Sequence, residues 1–126
     1  MKDKFVQSAE NLKQMKANLV AGEEYWREMD YKRCFQTYLK VAQQFEALND
    51  YETASYFHKR CLDISIEFSY ADGEALAYKG LGIAEEKVMN KHKAMEHLET
   101  SLNKANELNL QAIQKQIARD LVRVYQ

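Results

Sequence analysis

The sequence predicts an all-α fold, and three observations carry that prediction. The 126 residues contain no proline and only four glycines, too little turn chemistry for a sheet protein. Apolar residues recur at three- and four-residue steps along almost the whole chain. The polar interruptions between these stretches are only two to four residues long, so successive helices have no room for crossovers and must pack as antiparallel hairpins. The length suits one domain, 1–126, with a core of its own.

Each element follows from its own residues. Phe5, Ala9, Leu12, Leu19 and Trp26 mark a first helix near residues 3–28. Asp30, a good N-cap, opens a second at 31–47 that turns Cys34, Phe35, Tyr38, Val41, Ala42 and Phe45 inward. Asp50 opens a third at 51–69 carrying Ala54, Phe57, Cys61, Leu62, Ile64 and Phe68. The stretch SYADG, with Asp72 as cap, leads into a fourth at 72–88 bearing Ala75, Tyr78, Leu81, Gly82 and Val88. Asn90 caps a fifth at 91–107 with Ala94, Leu98, Ser101, Leu102 and Ala105. A sixth at 110–125 follows Asn109 and carries Ile113, Ile117, Leu121 and Val124.

Charge and composition narrow the function. With 18 basic and 19 acidic residues the net charge is −1, so no overall field draws the chain to nucleic acid or to an anionic membrane. No apolar run approaches the ~20 residues that span a bilayer, and MKDKFVQSAENLK lacks the apolar core of a signal peptide. A cytoplasmic protein is expected, with neither nucleic acid nor membrane as partner. Cys34 and Cys61 fall on apolar stripes and read as small buried hydrophobes rather than a disulfide.

Catalytic chemistry finds no candidate. The zinc-binding helix pattern needs two histidines at i, i+4, whereas KHKAMEHLE places His92 and His97 at i, i+5, on different faces. His58 sits on an apolar stripe and reads as a structural core histidine. No nucleophile elbow or Cys–His pair occurs, and the acidic runs GEE and AEEK read as solvated helix faces. No enzyme activity, cofactor or metal is therefore expected. Most of the eight tyrosines fall on core stripes or repeat turns; Tyr56 and Tyr70 are the two singled out as interface candidates.

Sliding the chain on itself by forty residues superimposes caps, small residues and large apolar residues: Asp50 on Asn90, Ala54 on Ala94, Cys61 on Ser101, Leu62 on Leu102, Leu81 on Leu121. Within that frame Tyr78, Leu81 and Gly82, followed by Asn90, Lys91, Ala94, Leu98, Ser101 and Leu102, resemble the signature of the tetratricopeptide repeat. The resemblance covers residues 31–126, and the first thirty share only the helical pattern. It implies a right-handed superhelix of stacked hairpins. The unit is forty residues where the family's is about 34, and longer linkers such as EFSYADGEA are the expected source of the difference.

Two glycines inside one predicted helix cost roughly 1 kcal/mol each relative to alanine and so need a reason. Gly82 occupies the family position where a small residue lets the two helices of a hairpin close up, matched earlier by Ala42. Gly80 marks a place where a neighbouring helix or a ligand backbone comes near. A phosphate loop is excluded, since GLGIAE lacks the third glycine and no strand precedes it.

The resemblance further implies that the first helix of each hairpin lines a concave groove. The matching positions are Gln36, Leu39, Gln43 and Glu46, then Leu76, Lys79, Ile83 and Lys87, then Gln116, Arg119 and Arg123. Leu39, Gln43, Lys79, Ile83, Lys87, Arg119 and Arg123 are the expected partner-binding residues, their cations suited to an acidic peptide or helix. Non-catalytic scaffolding is the implied role. The pattern YF-x-KRC-x-x-I followed by GEA-x-AY-x-GLG also resembles axonemal members of the family, which implies assembly or transport of ciliary motor components and a place in the cilium or flagellum. The alternative is a co-chaperone-like clamp for an acidic C-terminal peptide of a heat-shock chaperone: Arg119 and Arg123 resemble its paired cations, but Gln43 and Ile83 stand where it has asparagines and Leu39 where it has a lysine. The sixth helix is either a cap or the edge of a longer array, and self-association through end helices is a further expectation.

Overall fold

In the computed structural model the described residues are 4–126, with side chains described from Glu10 onward; Phe5 and Ala9 lie outside the described side chains. Six helices follow one another: α1 (Lys4–Arg27), α2 (Tyr31–Ala47), α3 (Tyr51–Glu67), α4 (Ala71–Lys87), α5 (Lys91–Glu107) and α6 (Gln111–Tyr125). No strand occurs among the described residues. Each helix packs on its sequence neighbours, and α4 also meets α6 directly. The result is the all-α stack of hairpins that the periodicity predicts.

The joints between helices are alike. Met29, Asn49, Ser69, Met89 and Asn109 each adopt positive φ, between 55° and 66°, and they recur every twenty residues. At each joint the next residue donates its N–H to a carbonyl five positions back, as Asp50 does to Phe45 at 2.9 Å and Leu110 to Ala105 at 2.9 Å. This is a left-handed C-cap, which satisfies carbonyls that the helix end leaves open. The donating residue is at once the N-cap of the following helix, and the side chains of Asp30, Asp50 and Asn90 accept from the third residue beyond. Tyr70 and Leu110 hold the same place without a side-chain cap. The fourth helix thus begins behind Tyr70 rather than at Asp72, and the linker at 68–70 is no longer than the others. The forty-residue unit comes from helices of 17 residues, not from a long loop.

Packing explains the repeated small residues. A Cβ added at Gly82 would stand 2.6 Å from Leu98 Cγ and 3.2 Å from the Ala94 carbonyl oxygen, so glycine is what allows α4 and α5 to touch. Ala42 is fully buried at the matching place in α2. Two buried side chains tie the hairpins the same way: Cys61 Sγ points to the Phe35 carbonyl at 3.7 Å, and Ser101 Oγ donates to the Ala75 carbonyl at 2.6 Å. Burial pushes the Cys34 thiol up to about 11 and the Cys61 thiol up to about 12, so both stay protonated, apolar fillers at neutral pH.

Candidate functional site

α2, α4 and α6 are the first helices of successive hairpins, and two sites lie between them, related by the forty-residue repeat. The first is an open cleft between α2 and α4, with a cavity of about 180 Å³. Leu39, Leu76 and Ile83 are its apolar residues; Gln43 and Lys79 supply polar groups. Glu46, His58 and Gly80 complete it, His58 reaching in from α3.

His58 is 3% exposed, and its Nε2 lies 2.5 Å from Glu46 Oε1. A carboxylate only accepts, so Nε2 is the donor of this contact. The ring's Nδ1 is buried and has no hydrogen-bond partner. A Cβ at Gly80 would fall on the imidazole ring, so the glycine in α4 makes the room that the histidine fills. The neighbour expected at Gly80 is therefore a side chain of α3.

The second site, between α4 and α6, is bridged by its own side chains, and a cavity of about 210 Å³ lies beside the Glu86–Arg123 pair. Lys79 Nζ donates to Gln116 Oε1 at 2.6 Å. Arg123 forks onto Glu86, Nε to Oε2 at 2.7 Å and Nη2 to Oε1 at 2.6 Å, and its Nη1 donates to Asp120 Oδ1 at 3.0 Å. The hydrogen bond from Arg123 holds the Glu86 carboxyl below its usual range and raises Arg123 in turn.

Four of the sequence-predicted residues, Leu39, Gln43, Lys79 and Ile83, meet in the first cleft. Lys87 and Arg119 are exposed. Arg123 lies instead at the second site, where Glu86 and Asp120 pair with its half-exposed guanidinium, and Lys79 is turned toward Gln116. Glu86 is the residue sequence reasoning missed, since AEEK reads as a solvated face. The signal was present in the repeat, because Glu46 and Glu86 superimpose at forty residues. Of the two tyrosines singled out, Tyr56 is 61% exposed, while Tyr70 packs edge-on against Phe35 at 5.3 Å.

Among the described residues no group of three or more His, Cys, Asp or Glu side chains could hold a metal ion. No helix among them is long and apolar enough to cross a membrane. No family model and no curated protein matches the chain. Among solved structures, the apo form of RapI is similar with a TM-score of 0.84 at 19% identity, over 95% of this chain and 44% of RapI. The chain thus spans less than half of RapI's length. At that identity the likeness extends to the helical-repeat fold and no further.

Proposed function

We propose that the chain, as a single domain of tetratricopeptide type, is a non-catalytic scaffold that holds a protein or peptide partner on the face carried by α2, α4 and α6. The observation that carries this reading is the open α2–α4 cleft, apolar at Leu39, Leu76 and Ile83 and polar at Gln43 and Lys79, a pattern that suits a side chain presented by another chain. Lys87 and Arg119 stand exposed on α4 and α6 to meet acidic groups of the same partner.

The resemblance of residues 49–82 to tetratricopeptide repeat protein 29 supports a cytoplasmic role in assembling or transporting axonemal components of the cilium or flagellum. The co-chaperone reading ranks below it, because a clamp built on Arg119 and Arg123 must first take Arg123 from Glu86. Leu12 and Val20 on α1 and Val122 and Tyr125 on α6 are exposed and support self-association through the end helices. A pull-down from ciliated-cell extract, read by mass spectrometry, tests the scaffold reading with the wild type beside Leu39→Asp/Leu76→Asp. Axonemal proteins lost only in the variant support it; identical lists overturn it.

A further inference from the structure

The internal repeat supplies its own control for what the first cleft lacks. Glu46 and Glu86 hold the same place in α2 and α4, but a guanidinium reaches Glu86 from Arg123, while the residue matching Arg123 is Ile83. Glu46 therefore has no cation across the cleft. One of its oxygens is taken by His58 from below, and Oε2 accepts no hydrogen bond. An open cavity stands beside it.

A second, independent observation points the same way. His58 Nδ1 is buried and has no hydrogen-bond partner. The Glu46 carboxylate and the Gln43 amide line the cavity beside this ring, and the Glu46 oxygen that His58 leaves open is the anionic acceptor there. The one cation nearby, Lys79, extends toward α6 and is engaged by Gln116. Such a site wants a donor-rich group with an apolar stem, and arginine combines a planar fork of N–H groups with three methylenes.

We propose that the α2–α4 cleft takes one arginine side chain from the partner, its guanidinium on Glu46 and Gln43 and its stem along Leu39, Leu76 and Ile83. The partner supplies in trans the group that Arg123 supplies in cis to the sister site. This rests on the reading of the cleft as a partner-binding surface, and it adds a basic residue to a segment otherwise expected to be acidic.

Two-dimensional amide NMR of the full chain tests it, titrated to millimolar concentration with acetyl-Ala-Ala-Arg-Ala-Ala-amide. The same peptide with citrulline, a neutral isostere, is the control. Saturable shifts are expected at Leu39, Gln43, Leu76, Gly80 and Ile83. Binding should weaken roughly tenfold or more with citrulline or in Glu46→Gln, as loss of a charge-assisted contact requires. Ile83→Arg should fold, place a guanidinium opposite Glu46 as in the sister site, and abolish the shifts. No saturable shift in the wild type, equal binding of citrulline, or undiminished binding by Ile83→Arg would overturn the proposal. If the pull-down partners still depend on Leu39 and Leu76 while the peptide shows no arginine preference, the arginine falls and the scaffold stands. If the partners are indifferent to Leu39 and Leu76, the scaffold reading is what fails.

Discussion

The α2–α4 and α4–α6 sites start from the same backbone and end in opposite states. Both place a glutamate at the same turn of the leading helix, Glu46 in one and Glu86 in the other. In the second, Arg123 bridges from α6 to its glutamate and α4 touches α6; in the first, the glutamate turns down to His58 and no guanidinium faces it. Three exchanges travel together: Ile83 for Arg123, His58 for Leu98, and Gly80 for Asp120. Removing the cation frees the carboxylate, the histidine captures it, and the glycine gives the ring its space. The α2–α4 cleft is the α4–α6 contact with its ion pair taken away.

The most damaging way to break this relation is at Gly80. Gly80→Val drives a side chain onto the buried imidazole and should cost about 2 kcal/mol or more, the scale of overpacking a tight core. Asp120→Val, at the matching position, should cost under about 1 kcal/mol because it loses only a partly exposed ion pair. Chemical denaturation of both variants measures the asymmetry, and equal losses would refute it.

Removing the bridge in the second site is the next step down. Arg123→Met should cost roughly 0.5–1 kcal/mol, discounted for the half-exposed guanidinium. The Glu86 carboxyl is lowered in the folded state, so its contribution is present above its unfolded value and is lost as pH falls through the lowered one. The stability gap between wild type and Arg123→Met should therefore close in acid. A gap that is constant with pH would mean that the ion pair contributes nothing.

The smallest effect asks whether the joints on either side of the two sites share one geometry. Met29 and Met89 hold left-handed backbone that costs an L-residue about 1 kcal/mol, while Asn49 and Asn109 hold it in two of the other three joints and Ser69 in the third. Met29→Asn and Met89→Asn should each raise stability by about 0.5–1 kcal/mol in thermal melts. Unequal gains would show that the joints differ despite their matching angles.

The helices were legible because burial enforces their period, and the place of Gly82 was legible because Leu98 packs where its Cβ would be. His58 was readable as a core residue from its stripe. Its partner was not, since nothing local says that Glu46 bends toward α3 rather than into solvent. The partner of Arg123 was hidden for the same reason: helix position fixes which face Arg123 occupies, but only the facing helix decides that Glu86 meets it. Asp72 misled because a good capping residue stood two positions past the joint, while Tyr70 caps by position alone and packs on Phe35.

Every joint in the stack uses one residue to finish a helix and the next to begin another, with none to spare. The chain is in that sense a ruler marked every twenty residues. A single inserted or deleted residue in a helix would turn the rest of that helix's apolar stripe by about 100° out of register with its neighbours, so the helix has no place to absorb one. A block of forty, by contrast, leaves all remaining marks where they were. Growth and loss in this lineage should come in whole hairpins, and each hairpin gained would bring a new cleft with a glutamate at the same turn.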